Sequence, residues 1–334
     1  MARIGYHASH EQFAPSDLLR FVRHAEATGF RCAMSSDHFK PWSAAQGHSG
    51  YAWSWLGAAL QATSMPFGVI SAPGYRYHPA ILAQAAATLS EMYAGRLWVA
   101  LGSGQRLNED VTGLHWPHKA ERNAQLRECA DIMRALLAGE RVTHRGRVTA
   151  IDARLYSRPA VPPLLLGAAV TEETAEFVGG WADGLLTVSA SPAKARKVVE
   201  AFRRGGGGGK PLAVQVTMSW APSDQEALQH AFDQRRFQAL GGEANWDLRS
   251  PEDFEQATRF VRPEDMKDCV LVSSDPRQHA DWLNEFIEIG FEDLLLHQVG
   301  RNQLEFLETF GAKVLPQLAK MMHLTALPMC RRQS

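Results

Sequence analysis

The strongest constraint in this chain is a repeated alternation of two kinds of segment. A short apolar run is followed by a longer one whose apolar residues recur at helical spacing, and the unit returns eight times. The apolar runs fall at 3–6, 31–35, 66–71, 96–100, 163–167, 184–188, 211–219 and 292–297. Helices are expected from a cap at Ser16 to a stop at Gly29, then at 53–62, 79–93, 118–138, 171–181, 192–204, 223–240, 276–289 and 302–319. Short strands that are apolar throughout fit burial on both faces, which marks a parallel sheet. Eight such units close most simply into a (β/α)8 TIM barrel. An open dinucleotide-binding sheet would want GxGxxG after the first strand, where this chain has GYHASHEQ.

Two stretches interrupt the alternation: a hairpin insertion expected at 140–160 and a polar, irregular insertion at 241–268, with a short strand at 269–273. The run Gly205 to Gly209 is expected to be a loop. Residues 1–320 read as one domain, and 321–334 as a flexible tail.

Composition removes several function classes. Lys plus Arg number 35 against 36 Asp plus Glu, for a net charge of −1, so there is no general basic face for nucleic acid. No window approaches the roughly 18 apolar residues that cross a bilayer, and the first residues lack a signal-peptide core. Cys32, Cys129, Cys269 and Cys330 form no CxxC pair, which fits a reduced, cytoplasmic protein without a zinc knot. The histidines form no metal-ligand cluster, and only Glu11 and Asp37 stand where a glycosidase would need its carboxylates.

In a barrel of this kind the chemistry lies at the C-terminal ends of the strands. That rule selects His7, Ser9 and Glu11 after the first strand, and Asp37, His38 and Trp42 after the second. It adds Gly68, Val69, Ile70 and Ser71 in the third, Ser103, Gly104, Gln105 and Asn108 after the fourth, and Ala169, Val170 and Thr171 after the fifth. His38 can exchange a proton near neutral pH, with Asp37 able to orient it or to serve as a plain cap. Trp42 offers a flat wall for a ring system, or a loop anchor at the rim. Thr171 sits where it would cap a helix whose first amides face the mouth, a ready phosphate site, although Glu172 and Glu173 can satisfy that dipole themselves.

The strings GYHASHEQFAP, SDHFKPW, GHSGYAWSWL, YRYHPAILAQAAATLSEMYAGR, LGSGQRLNED and HQVGRNQLEFLETF resemble the F420-dependent glucose-6-phosphate dehydrogenases and their relatives in the luciferase-like oxidoreductase superfamily. The resemblance implies a deazaflavin (F420) or FMN cofactor held by Asp37, Ser71, Ser103, Gly104, Asn108, Ala169, Val170 and Thr171. It implies His38 at the reacting centre with Trp42 beside it, Glu11 near the pocket, and a non-proline cis peptide at Gly68-Val69. Gln105 stands where the dehydrogenases have a glutamate that donates a proton; an amide can donate a hydrogen bond but cannot supply and regain a proton. Ser191, Asp268 and Leu304 fall at about the positions of two lysines and an arginine that hold the sugar phosphate, so glucose 6-phosphate is not the expected substrate. The expected activity is hydride transfer to or from a small neutral or apolar substrate, in a homodimer. The alternatives are an FMN-dependent monooxygenase served by a reductase, and a barrel that binds flavin without catalysis.

Overall fold

In the computed structural model, which describes residues 2–241 and 244–318, eight parallel strands close on themselves. They are β1 Arg3–Ala8, β2 Cys32–Ser36, β3 Phe67–Ser71, β4 Leu97–Leu101, β5 Leu164–Ala168, β6 Leu185–Ser189, β7 Leu212–Ser219 and β8 Asp293–Gln298. Each pairs with its neighbours, and β8 returns to β1 in the register Arg3↔Asp293 through Tyr6↔Leu296. A forked contact pins that seam: Arg3 donates from Nε and Nη2 to the two carboxylate oxygens of Asp293, at 2.6 and 2.8 Å. The (β/α)8 barrel expected from the alternation is therefore the fold.

The outer ring holds α1 Pro15–Ala27, α2 Ala52–Ala62, α3 Pro79–Met92, α4 Lys119–Ala138, α5 Glu172–Gly179, α6 Pro192–Phe202, α7 Pro276–Ile289 and α8 Gln303–Lys313. The start of α1 differs from the sequence reading. Pro15 occupies its first turn and no side chain caps it, so Ser16 is a helical residue. The insertion near 140–160 is an antiparallel hairpin of Val142–Arg145 and Thr149–Ala153. The helix expected at 223–240 breaks in the middle, running as Asp224–Arg235 and then as a 3-10 turn, Arg236–Leu240. The insertion after it is not irregular throughout, since it carries short helices at Ala244–Asp247 and Pro251–Ala257. The expected tail, 321–334, lies outside the described residues.

The glycine run is also more ordered than a loop. Arg203–Gly207 continues α6 as a π turn, and a Cβ on Gly205 would fall into the backbone carbonyl of Glu176 in α5. Glycine there lets two helices approach backbone to backbone.

The barrel interior is graded from bottom to top. Alternate residues of a strand share a face, and the inward residues near the strand starts are apolar: Cys32, Trp98, Leu166, Leu186, Ala213 and Leu295 form one buried cluster. One or two steps further along each strand they become polar: Gly5 gives way to His7, Met34 to Ser36, Ala213 to Gln215 and Thr217, and Leu295 to His297. The lower barrel is plugged, and the polar groups are confined to the mouth.

Trp98 is the largest part of that plug, and Gly68 faces it across the β3–β4 pairing. A Cβ on Gly68 would overlap the indole ring. This accounts for Gly68 and corrects the expectation of a cis peptide there. The described backbone contains no cis peptide, and β3 pairs without interruption from Phe67 to Ile70 with both neighbours, as an extended trans strand does. Gly68→Ala is predicted to destabilise the fold by about 1–3 kcal/mol through overpacking, read from the urea midpoint. The added change Trp98→Leu should recover part of the loss; equal stability of Gly68→Ala and the parent would contradict the plug.

Candidate active site

Two adjoining cavities open at the C-terminal ends of the strands, and His38, Ile70, Gln105, Val170, Thr171, Val188 and Trp246 border both. The larger, about 430 Å3, lies over β1, β7 and β8. The smaller, about 170 Å3, is a slot over β3 to β6.

At their junction Glu11 and His38 face each other, with Oε1 of Glu11 3.4 Å from Nε2 of His38. Glu11 is buried, and its other oxygen accepts hydrogen bonds from Ser9 Oγ at 2.8 Å and Ser36 Oγ at 2.6 Å. Burial pushes its pKa up, but His38, the Ser36 hydroxyl and His7 together outweigh that and hold it at about 2. The pKa of His38 is lowered, chiefly by burial, against the raising influence of Glu11. His38 Nδ1 is buried and has no hydrogen-bond partner among the described residues.

Asp37 holds this arrangement from behind. Its carboxylate accepts from Ser71 Oγ at 2.6 Å and from the Tyr77 hydroxyl at 2.9 Å, and Arg76 donates to its backbone carbonyl at 2.7 Å. Arg76 reaches on to Glu109, whose carboxyl burial raises to about 7 against the pull of that guanidinium. Asn108 works in the same way. Its Oδ1 accepts from the Phe39 and Lys40 amides, so its Nδ2 must donate, and it donates to Gln105 Oε1 at 3.2 Å. That leaves Gln105 Nε2 as the available donor at the border of both cavities.

Trp42 takes both roles open to it. Phe237 stacks on it at 4.6 Å and Phe254 meets it edge-on, which anchors the rim, while it also lines the larger cavity 5.1 Å from His38. The slot is walled by Ser71, Ser103, Gly104, Gln105, Asn108, Ala169, Val170 and Thr171, so the expected cofactor residues converge there, with Asp37 at its edge. Gly68 and Val69 do not reach it. Thr171 caps α5, accepting from the Thr174 amide at 3.2 Å. Lys119, which the sequence reading passed over, donates to Ser103 Oγ at 2.6 Å at the outer end of the slot. Of the three positions considered for a sugar phosphate, Ser191 and Asp268 line the larger cavity, whereas Leu304 packs against the core. Lys194, one turn beyond Ser191, also lines it.

The polar floor of the larger cavity was largely missed. His297 is locked neutral: Gln12 Nε2 donates to Val299 O, so Gln12 Oε1 accepts from His297 Nε2 at 2.7 Å, and His297 Nδ1 accepts from Gln215 at 3.1 Å. His7 packs against it at 4.5 Å. The available signal was a polar residue at every second position of strands otherwise apolar, Gln215 and Thr217 in β7 and His297 in β8.

The profile of the luciferase-like monooxygenase family matches residues 1–293. The chain belongs to that family. It is similar to the F420-dependent glucose-6-phosphate dehydrogenase of Beutenbergia cavernae, 35% identical over 331 residues that cover 95% of this chain and 98% of the relative. The enzyme of the same name from Segniliparus rotundus is 33% identical over 334 residues, covering 96% and 98%. A solved F420-dependent secondary alcohol dehydrogenase, in complex with an F420-acetone adduct, matches with a TM-score of 0.87 at 29% identity, over 95% of this chain and 99% of that one. A long-chain alkane monooxygenase shares the fold, with a TM-score of 0.72 at 15% identity over 96% and 92%. This chain is an oxidoreductase of the same family. Among the described residues no helix is long and apolar enough to cross a membrane, and no cluster of side chains suits a metal ion.

The buried histidines make a stability prediction. Burial lowers His7 to about 3 and His10 and His279 to about 4. The unfolded chain binds protons near pH 6.5, so below that pH the unfolded state gains protons that the folded state refuses, and stability falls. Glu11, whose pKa is also lowered on folding, acts in the same sense but only below about pH 4.5, outside this interval. The urea midpoint should therefore drop steadily between pH 7 and pH 5, by about 1–2 kcal/mol for each of the three histidines. A flat profile over that interval would contradict their neutral burial.

Proposed function

We propose that the chain is an F420-dependent dehydrogenase that oxidises a small hydroxy compound, or runs the reverse reduction, and that glucose 6-phosphate is not its substrate. The observation that carries this is the Glu11–His38 pair at the junction of the two cavities, with His38 bordering both. The relatives named for F420, at 29–35% identity over nearly the whole chain, favour the deazaflavin over FMN.

The slot suits such a cofactor in shape and donor chemistry. Ile70, Ala72, Leu186 and Val188 give apolar walls for a flat ring, and Gln105 Nε2 gives a donor at its border. Ser103, Lys119 and Thr171 offer hydroxyl and ammonium groups for a phosphate at its outer end. Gly104 has φ +79° and lets the backbone turn close to the slot. Bound there, F420 supplies a ring carbon that carries hydride.

The protein's own groups handle the proton. Glu11, held ionised by Ser9 and Ser36, faces Nε2 of His38 at 3.4 Å, and the lowered pKa keeps the ring neutral at pH 7. His38, which borders both cavities, then accepts the hydroxyl proton of the substrate, and Glu11 beside it stabilises the imidazolium that forms. Trp246 borders both cavities and Trp42 the larger one, which gives the site flat apolar walls beside His38. The carboxylate-to-amide exchange at Gln105 confines that side chain to hydrogen bonding. Serine at position 191 and aspartate at 268 stand where phosphate recognition would use two lysines, which leaves Lys194 as the lysine lining that cavity.

His38→Ala is expected to lower kcat for alcohol oxidation by 100-fold or more while F420 affinity stays within about tenfold. Unchanged turnover would remove His38 from the chemistry. In the unaltered enzyme the acid limb of the rate profile should lie below the ordinary histidine value, because the base must be neutral. Glu11→Gln should move that limb to still lower pH and reduce kcat, since the carboxylate raises the basicity of His38; an acid limb left in place would show that Glu11 does not act through His38.

A further inference from the structure

Arg235 has no role in the account so far. It is 7% exposed and lines the larger cavity, beside the polar floor. The helix Asp224–Arg235 ends at this residue, where φ −135° and ψ 14° leave helical geometry, and the next turn carries Phe237. The guanidinium carbon lies 4.7 Å from the centre of the Phe237 ring. Stacking of this kind holds the flat face of an arginine and leaves its N–H edges free to point elsewhere.

Those edges find no partner among the described residues. Among the described residues Arg235 makes no ion pair within 4.0 Å, and its Nε is buried without a hydrogen-bond partner. Compensation of Glu11 does not explain it. The two groups feel each other's charge, but they are not in contact, and Glu11 is already satisfied by Ser9, Ser36 and His38. Burial lowers the pKa of Arg235 to about 10, which leaves it cationic at neutral pH. A buried cation without a partner is strongly disfavoured, so its place in a cavity wall is explained by an anion that arrives with the ligand.

We propose that Arg235 is the anchor for a carboxylate on the substrate, which makes the substrate a small hydroxy- or oxo-carboxylic acid. This rests on the dehydrogenase reading above and replaces the neutral substrate expected from the sequence. A single planar guanidinium matches the two oxygens of a carboxylate. Lys194 lines the same cavity, but the carboxylates of Asp268 and Glu11 line it too and oppose the second charge of a phosphate monoester. The rest of the cavity complements a hydroxyl or carbonyl group: His7 Nδ1, Thr187 Oγ1 and Thr217 Oγ1 line it and are buried without partners. Arg235 would orient the substrate while His38 receives its proton.

The test is calorimetric titration of the purified protein, with and without F420, using hydroxy- and oxo-carboxylates of four to eight carbons, pentan-2-ol as the neutral analogue of 4-hydroxypentanoate, and glycerol 3-phosphate. At least one acid should bind tenfold or more tighter than its neutral analogue and than the phosphate ester. Arg235→Gln should weaken acid binding tenfold or more and leave the neutral alcohol unaffected, and Arg235→Lys, which keeps the charge, should retain part of the preference. Binding of no acid in the series, equal binding of acid and alcohol, tighter binding of the phosphate ester, or acid binding that survives Arg235→Gln would overturn the proposal. F420 reduction followed in parallel separates the two readings. Acid binding with no F420 turnover would leave the anion site standing and remove the dehydrogenase, whereas turnover of pentan-2-ol without acid preference would do the reverse.

Discussion

Closure of the sheet governs everything else in this protein. A parallel strand pair leaves backbone donors and acceptors at both edges, and the return of β8 to β1 removes those edges together. It also brings the C-terminal ends of all eight strands to one rim, which no open sheet of this length would do. The interior below the rim must then be filled at the density of a protein core. Trp98 does much of this, in room left by Gly68, and the missing side chain of Gly5 makes room for Cys32 and Leu295. With the lower barrel packed by apolar groups, polar side chains on inward positions are confined to the mouth.

The mouth divides its work through the positions of a few buried carboxylates. Glu11 is turned to His38 and stays ionised. Asp37 is turned away, with its oxygens taken up by Ser71 and Tyr77. Two acids from adjacent strand ends thus serve different purposes, one facing the His38 imidazole and the other bracing the loop that carries it. Asp37, Ser71 and Asn108 border the slot, yet the hydrogen bonds they make are internal. Their side chains shape the site more than they reach into it.

The alternation of strands and helices was legible because burial on both faces of a parallel strand writes a continuous apolar run. The strand ends then gave Glu11, His38, Trp42 and Gln105 by position. What could not be read was anything that depends on contact between distant segments. Gly68 looked like a backbone peculiarity because Trp98, its partner, is thirty residues away in sequence. The break at Arg235 lies inside a segment whose helical spacing continues past it, and propensity gives no sign that the chain turns inward there. Gln215, Thr217 and His297 were visible as polar residues in apolar strands, but only the register of β7 and β8 shows that they face one cavity. Gly205 gave the opposite error, since five glycines suggested looseness where close approach of two helices requires glycine at this position.

The central claim is that the slot over β3 to β6 takes a deazaflavin. The most direct measurement is equilibrium titration of the purified protein with F420 and, separately, with FMN, followed by quenching of cofactor fluorescence in the oxidised state. Micromolar or tighter binding of F420 is expected, with FMN at least tenfold weaker. Preferential binding of FMN would contradict it, and would mean that the change to Gln105 accompanies a change of cofactor.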